Sequence, residues 1–463
     1  MNRQERYRMK TYEETEKKEM ENLAKLYRDF LDAGKTEREC TANICRIARE
    51  NGYKDLEEIL DKGESLKAGD KIYVANMKKS ALLMQIGEEP LEKGMLLMGS
   101  HIDSPRLDLK QKPLYEKNGM AYLDTHYYGG IKKYQWVASP MALHGTVAKT
   151  DGSMIQISVG EDPEEPVIGV TDLLVHLSSK QMEKKGSTVI EGEALDILVG
   201  SYPVNEEEEE KPVKAYIAKL LKEQYGIEED DFVSAELEVV PAGKARDFGL
   251  DASMIMAYGQ DDRICAFCSL MGFLYSKASA KTKVCMFVDK EEIGSVGATG
   301  MHSRFLENTV AEVMECLGQY TELKLRRALK NSCMLSADVS AGYDPLYADA
   351  FEQNNSAYLG KGPVINKYTG SRGKSGSNDA SAEYIGKLRG IFDKENIMYQ
   401  TAELGKVDVG GGGTIAYIPA VYGMNVVDMG VAVLNMHAPY EISSKADIYE
   451  TCKCYKTFYE MLN

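Results

Sequence analysis

Apolar residues recur with two different periods along the chain, and these periods separate helical from extended segments. Four apolar residues have the spacing of one buried helix face: Met20, Leu23, Tyr27 and Phe30. Thr36 is placed to cap a second helix, which begins in TEREC. Near residue 95 the pattern changes to a short apolar run, MLLMGS, which predicts a strand that ends in His101 and Asp103. The amino-terminal part is therefore predicted to form helices followed by strands, with the polar residues His101 and Asp103 at the end of one strand.

The segment from about Lys112 to Ala242 has a different texture, with short alternating runs such as MIQISVG and an amphipathic stretch around Ala215 to Tyr225. This pattern predicts an inserted, mainly-β domain with one amphipathic helix. After it, strand-like runs alternate with helical ones, in the order KVCMFVD, SCMLSAD and GMNVVDMG, and a closing helix follows His437. Such alternation predicts an α/β domain with a largely parallel central sheet flanked by helices. The predicted segments are 1–111 and 243–463 for a split domain and 112–242 for the insert.

The composition is that of an ordinary globular protein, with 463 residues of which 43% are hydrophobic and 28% charged. A formal net charge of -16 argues against nucleic acid as a partner, because nucleic-acid affinity depends on clustered Lys and Arg. No run of residues is long and apolar enough to predict a transmembrane span.

The amino terminus and the cysteines indicate the compartment. The start of the chain, MNRQERYRMK, is charged and lacks the apolar stretch of a secretory signal. The nine cysteines are an odd number, and most lie inside apolar runs, so we expect reduced, buried thiols rather than disulfides. We therefore expect a cytoplasmic protein that does not bind membranes.

Residue types that bind metals follow strand-like runs at five places. They are His101 and Asp103 in GSHIDSP, Asp261 and Asp262 in GQDDRI, Glu291 and Glu292 in VDKEEIGS, Asp338 and Asp344 in SADVSAGYDP, and His437 in VLNMHAP. In α/β sheets, ligands collect beyond the carboxyl ends of the strands. Imidazole nitrogen and carboxylate oxygen suit zinc or a similar ion, and one carboxylate such as Asp261 can bridge two ions.

A pair of metal ions bound by these residues would be suited to amide hydrolysis. Two ions about 3.5–4 Å apart can polarise a carbonyl and acidify a water, which amide hydrolysis requires. The Glu291–Glu292 pair offers a candidate general base beside a candidate ligand. Taken singly, these residues have plainer explanations, since Asp261 and Asp262 can cap the helix that follows them. The glycine-rich stretches near residue 370 and at Gly410–Gly413 are interpreted as loops over a site, with Gly412 as a substrate-binding candidate.

An ordered series of motifs resembles the aspartyl aminopeptidase and vacuolar aminopeptidase I family, metallopeptidase family 18. Its elements are GSHIDSPRLDLK, YYGGIKKYQW, LLVHL, GQDDR, VDKEEIGS, SADVSAGYDP, GPVI, GGGGTIAYI and MHAPYE. The resemblance implies a split catalytic domain with an inserted dimerisation domain, and a tetrahedral homododecamer built from dimers that admits short peptides. It also implies a metalloaminopeptidase that uses two zinc ions, with cobalt or manganese as possible replacements.

The resemblance also implies a role for each site residue. His101, Asp261, Glu292, Asp338 and His437 would hold the ions, with Asp261 bridging, Asp338 on the His101 side, and Glu292 with His437 on the other side. Glu291 would be the general base. Asp103 would orient the imidazole of His101, as carboxylates commonly do for metal-bound histidines.

Two departures from the aspartyl aminopeptidases bear on the substrate. Those enzymes carry a histidine six residues after the metal-binding aspartate, where this chain has Asp344, and another in the insert, where it has Asp172. Both replacements make the substrate region more acidic, which disfavours an acidic substrate side chain. We therefore expect a preference for neutral or basic amino-terminal residues.

Two alternatives stay open at the level of sequence. A related tetrahedral aminopeptidase family shares the D-D-R and E-E elements and predicts the same reaction. The other alternative is a catalytically silent scaffold that keeps the fold and forms a shell or binds cargo. The intact Glu291 and the five intact ligands argue against it.

Overall fold

The computed structural model of the protein describes residues 8–204 and 209–462. Residues 1–7, on which part of the expected localisation rests, lie outside the described residues. By their contacts the described residues form two units. The first contains the residues up to Asp103, Ala245–Met436 and the chain from Glu441 onward, and the second contains Ser104–Lys244 and His437–Tyr440. The predicted insert, 112–242, falls within the second unit.

Among the described residues of the first unit, nine strands form one sheet. Five neighbouring pairs are parallel and three are antiparallel, which confirms the largely parallel sheet predicted from the sequence. In spatial order the strands are Lys54–Asp55, Lys71–Asn76, Ser80–Gln85, Lys283–Val288, Leu96–His101, Cys333–Ser336, Asn425–Gly430, Val364–Asn366 and Gln400–Thr401.

Apolar side chains cover both faces of this sheet, because alternate residues of a strand point to opposite sides. In the strand Leu96–His101, Leu96 and Met98 join the core on one face, and Leu97 joins the core on the other. Every residue of this strand and of Lys283–Val288 is buried. Burial on both faces explains why these strands read as continuous apolar runs.

Helices supply the remaining layers of the first unit. The predicted helix that contains Met20 and Phe30 is confirmed as Glu14–Asp32, and the Glu39 amide donates to the Thr36 hydroxyl at the start of the next helix. The longer α-helices of this unit are Glu14–Asp32, Glu37–Glu50, Leu56–Lys62, Gln260–Tyr275, Phe305–Cys316, Glu322–Lys330, Ala382–Lys394 and Lys445–Met461. Within the described residues, no helix has the length and apolar character that crossing a membrane requires.

Two smaller sheets complete the first unit as far as it is described. One has five strands in the order Arg246–Phe248, Met254–Ala257, Glu441–Ser444, Ala432–Leu434 and Ser340–Ala341. The other is an antiparallel ribbon that pairs Gly370–Ser371 with Gly411–Gly412. The two glycine-rich stretches therefore pair with each other, which the sequence analysis did not predict.

The second unit is mainly β. Its seven described strands form one antiparallel sheet. Their order is Met154–Val159, Met141–Ala148, Ala235–Pro241, Arg106–Lys117, Met120–Tyr128, Ile197–Gly200 and Gly169–Val170. The predicted amphipathic stretch forms the α-helix Pro212–Leu220 and a π-helical turn, Leu221–Tyr225.

Candidate metal centre

Polar side chains collect where the central parallel strands of the first unit end. His101 is the last residue of its strand, and Asp338 lies shortly after the strand Cys333–Ser336. Glu291 and Glu292 open the short turn that follows the neighbouring strand. Because the carboxyl ends of parallel strands meet at one edge of a sheet, the topology itself gathers these four residues.

Asp261 comes from the start of a helix rather than from a strand end. The helix Gln260–Tyr275 begins with non-helical backbone at Asp261 and Asp262, and the peptide bond between them is cis. The Asp261 amide donates to the Glu441 carboxylate at 2.9 Å, and the Gln260 side chain donates to the Glu441 carbonyl oxygen at 2.6 Å. Buried hydrogen bonds therefore hold the backbone that carries the Asp261 carboxylate.

Three of the predicted ligands converge inside the first unit. One ligand atom from each of His101, Asp261 and Asp338 lies within 4.8 Å of the other two. The His101 Nε2 is 3.2 Å from an Asp261 oxygen and 4.0 Å from an Asp338 oxygen. One imidazole nitrogen and two carboxylates are a donor set that zinc accepts, so the residues present fit the metal.

Charge in this cluster also favours a cation. Burial, followed by the nearby charge of Asp262, raises the pKa of Asp338 well above its usual range. Burial is also the largest cause of the raised pKa of Asp262, and Asp261 adds to it. Burial lowers the pKa of His101, but hydrogen bonds with Asp103 and Asp261 outweigh it and the net shift is upward. The cluster thus holds more negative charge than its neighbours compensate, and a bound cation relieves that repulsion.

Asp103 contacts both His101 and the turn that carries Glu291 and Glu292. The His101 Nδ1 lies 3.0 Å from the Asp103 carbonyl oxygen and 3.3 Å from an Asp103 carboxylate oxygen. The two carboxylate oxygens also accept hydrogen bonds from the amides of Glu291, at 3.1 Å, and Glu292, at 3.2 Å. Asp103 thereby fixes the side of His101 that faces away from Asp261, together with the turn that carries both glutamates.

The remaining predicted ligands are Glu292 and His437. Glu292 offers a carboxylate oxygen within 4.8 Å of one from Asp261. His437 is grouped with the second unit, where its Nδ1 lies 2.7 Å from the Gly130 carbonyl oxygen. A histidine oriented in this way through one nitrogen typically binds metal through the other. The role of His437 as a ligand stays a prediction.

The three predicted substrate-binding residues have local structural contacts. Asp344 accepts a hydrogen bond from the Leu346 amide at 2.9 Å and so caps the turn Pro345–Ala350. Asp172, in the second unit, accepts from the Leu173 amide and the Gln181 side chain. Gly412 pairs with Gly370 in the glycine ribbon. Their roles toward a substrate stay predictions.

Three supporting residues escaped the sequence analysis. Glu441 and Gln260 hold the Asp261 backbone, and Tyr27 and Ser443 both donate to the Gln260 side-chain oxygen. Arg263 is buried and donates to the Ile102 carbonyl oxygen, between His101 and Asp103. Glu441 lies in the MHAPYE motif, and Gln260 and Arg263 lie in GQDDR, so position within a motif was the signal that could have found all three.

Comparisons with known proteins identify the family of the chain. The model of the aminopeptidase I zinc metalloprotease (M18) family matches residues 30–459. A probable M18 family aminopeptidase 1 from Clostridium acetobutylicum is 60% identical over 96% of this chain and 96% of its own length. The crystal structure of aminopeptidase I from that organism has a TM-score of 0.91 at 57% identity, covering 97% of this chain and 98% of that one.

More distant structures share the same fold. The M18 aminopeptidase of Thermotoga maritima superposes with a TM-score of 0.92 at 42% identity, covering 96% of this chain and 97% of that one. The mApe1 dodecamer of S. cerevisiae, at 19% identity and a TM-score of 0.77, covers 95% of this chain and 96% of its own. A family match over nearly the whole chain, with close relatives of equal length, shows that the chain belongs to the M18 family and is a zinc-dependent aminopeptidase.

Proposed function

We propose that this aminopeptidase removes the amino-terminal residue of short peptides by means of a water activated between two zinc ions, with Glu291 as the general base. One observation carries the proposal. Ligand atoms of His101, Asp261 and Asp338 converge within 4.8 Å, and Asp103 joins this cluster to the turn of Glu291 and Glu292. Metal ligands gathered next to a further carboxylate are the arrangement that metal-assisted amide hydrolysis uses.

In this proposal five side chains would hold the two ions. His101 and Asp338 would hold the first ion, Glu292 and His437 would hold the second, and Asp261 would contribute to both. The support for the second ion is the closeness of Glu292 to Asp261 and the Nδ1 hydrogen bond of His437, after which its Nε2 would be the nitrogen that binds the ion. The same nitrogen and oxygen donors accept cobalt or manganese, so metal supply decides among the three.

The residues around the ions carry the proton chemistry. Zinc, when bound, supplies Lewis acidity to the scissile carbonyl and lowers the pKa of water. The Glu291 carboxylate takes a proton from the attacking water and passes it to the amine that leaves. The Asp103 carboxylate accepts from the Glu291 amide and faces His101, so the backbone of the base is held next to that histidine. Asp103 is a positioning residue in this scheme.

Glu291→Gln is the decisive test of the proposed base. The amide cannot take up a proton, so we expect kcat on aminoacyl anilides to fall by about 10²–10⁴-fold while both metal equivalents remain. Native mass spectrometry counts the metals on the intact assembly. Glu292→Gln is the matched control in the adjacent position, and it should lose metal as well as activity. Full metal occupancy of the natural sequence without hydrolysis of any amino-terminal residue would favour a silent scaffold instead.

We further propose a preference for neutral or basic amino-terminal residues. The support is the pair of acidic residues, Asp344 and Asp172, at positions where aspartyl aminopeptidases carry histidines. A panel of aminoacyl anilides tests this with added zinc, cobalt or manganese. If aspartyl and glutamyl anilides prove the best substrates, the proposed preference is wrong while the proposed chemistry stands.

We propose that the chain self-associates into a tetrahedral homododecamer of dimers, with the second unit in the dimer contact. Its support is a run of exposed apolar side chains in that unit, Leu173, Leu174, Val175 and Leu177, of which Val175 is 75% exposed. Adjacent exposed apolar residues mark interaction surfaces. The mApe1 fold relative was solved as a dodecamer.

Charge placed in this run tests the assembly. Val175→Asp combined with Leu177→Asp should shift the native mass to smaller species, because buried carboxylates would oppose the contact. Leu250→Asp, at an exposed leucine of the first unit, is the control and should leave the mass unchanged. A double variant that keeps the mass of the natural protein would place the contact elsewhere.

A cytoplasmic location completes the proposal. All nine cysteines are free thiols in the structure, as reduced cysteines are in a reducing compartment. Cell fractionation against a cytoplasmic and a periplasmic marker tests the location, and recovery with the periplasmic marker would contradict it.

A further inference from the structure

One buried carboxylate beside the metal centre has no part in the proposed mechanism. Asp428 lies on the central strand Asn425–Gly430 and is 3% exposed. In the sheet register it is opposite Ser336 on one side and Asn366 on the other. Burying a carboxylate in the middle of a sheet is costly, so its retention there calls for a specific contact.

That contact is with the residue that ends the glycine run. The Thr414 hydroxyl donates to the Asp428 carboxylate at 2.6 Å, and the same hydroxyl accepts from the Ala416 amide at 3.3 Å. Thr414 directly follows Gly410–Gly413, whose two central residues form one strand of the glycine ribbon. The hydrogen bond therefore ties one end of the ribbon to the nine-stranded sheet.

The strand of Asp428 also packs closely against the backbone of Asp338, a proposed metal ligand. Gly430, on the same strand, packs so closely that a Cβ there would lie 1.7 Å from the Asp338 carbonyl oxygen. Burial is the main cause that raises the pKa of Asp428 to about 7, the Thr414 and Ser336 hydroxyls lower it, and the charge of Glu291 raises it. Asp428 thus lies within electrostatic reach of the proposed base and one strand from a proposed ligand.

We infer that Asp428 is a positioning residue for the part of the site that binds the substrate. This inference rests on the proposed function. Through Thr414 it holds the Gly410–Gly413 run, which includes the substrate-binding candidate Gly412, against the sheet edge that carries Asp338. The glycines have no side chains that could anchor the run by packing. The hydrogen bond from Thr414 to the buried Asp428 oxygen at its end supplies the missing constraint.

Thr414→Val tests the inference because it keeps the shape of the side chain and removes the donor. We expect KM to rise about tenfold with kcat within about twofold, since loss of one such bond corresponds to about one order of magnitude. Thr414→Ser restores the hydroxyl and should restore KM. The control is Thr146→Val, which removes another buried threonine hydrogen bond, to Gln156 at 2.9 Å in the second unit, and should leave KM unchanged.

Hydrogen exchange gives a readout that does not depend on turnover. In the intact protein, peptides that span residues 405–416 should exchange about tenfold faster in Thr414→Val than in Thr414→Ser or Thr146→Val. Asp428→Asn retains an acceptor oxygen and should leave this exchange within about threefold of the natural protein. If the natural protein hydrolyses no substrate, the proposed function fails while exchange still decides the role of Asp428. Unchanged exchange and unchanged KM in Thr414→Val would overturn the inference.

Discussion

At the scale of single residues, Asp103 shows how one carboxylate can serve two groups. Its oxygens accept from the amides of Glu291 and Glu292, and its carbonyl and carboxylate face the Nδ1 of His101. A substitution there disturbs a proposed ligand and the proposed base together. The carboxylate is completely buried, so neither contact is easily replaced by water.

Asp103→Ala should weaken both metal binding and turnover. Loss of the group that orients a metal-bound histidine typically costs about 10–100-fold in metal affinity. Two partly buried amides also lose their acceptor, so the Glu291 turn should shift and kcat should fall even at saturating zinc. Zinc affinity is measured by competition with a chelator, and kcat at saturating metal.

Asp251→Ala is the matched control for Asp103→Ala. Asp251 also accepts a backbone hydrogen bond, from the Ser253 amide, but it is exposed to solvent. Its loss should leave zinc affinity and kcat unchanged. Equal zinc affinity in Asp103→Ala and the natural protein would show that His101 keeps its orientation without this carboxylate.

The sequence could indicate candidate metal ligands, but few of the contacts that hold them. His101 and Asp338 stand at strand ends, where the alternation of elements already predicts a site, and the family motifs carry the rest. Glu441 and Asp261 are 180 residues apart, and their hydrogen bond forms only through the folded backbone. Asp103 was predicted to orient His101, but its bonds to the Glu291 turn depend on a neighbouring strand and have no local signature.

At the scale of elements, the glycine ribbon shows where local patterns are least informative. Glycine allows many backbone conformations and has no side chain whose alternation could indicate a strand. The two stretches were interpreted as loops, yet Gly411 pairs with Ser371 and Gly412 with Gly370. Gly411 has φ +119°, and a Cβ there would lie 2.3 Å from the Gly370 carbonyl oxygen.

Gly411→Ala should open the ribbon. The side chain would collide with the partner strand and would occupy a backbone conformation that L-residues rarely adopt. We expect KM to rise at least about tenfold, with faster hydrogen exchange in residues 405–416. Gly413→Ala is the control, because nothing lies within 4 Å of a Cβ built there. If both variants raise KM equally, flexibility of the whole run matters rather than the pairing at Gly411.

The length of a helix or strand decides whether it could be predicted from the sequence. The helix Glu14–Asp32 and the strand Lys283–Val288 are long enough for several repeats of their period, and both were predicted. The five-stranded sheet was not, because its strands have two to four residues, from Ser340–Ala341 to Met254–Ala257. Strands this short have too few residues for a repeating pattern, and two of their four pairings join residues far apart in the sequence.

At the scale of the whole molecule, the α/β class and the family were predictable because alternating elements and ordered motifs span most of the chain. A different whole-molecule property follows from carboxylates inside the first unit. Burial raises the pKa of Asp447 to about 7, although the amides of Gly360 and Gly362, both at 2.7 Å, lower it. Between the unfolded value of 3.8 and about 7, the folded state therefore binds more protons at this site than the unfolded state does.

Asp447→Asn should flatten the dependence of stability on pH. Because the folded pKa lies above the unfolded one, the contribution of Asp447 is greatest below about pH 4 and is lost as the pH rises to about 7. The free energy of unfolding of the natural protein, measured with urea at pH 5 and pH 8, should thus fall more steeply than that of the variant. Asparagine loses part of the acceptor capacity, so the test is the slope rather than the absolute value. Asp61→Asn, an exposed site, should keep the natural slope, and an unchanged slope in Asp447→Asn would mean that this carboxylate stays ionised throughout.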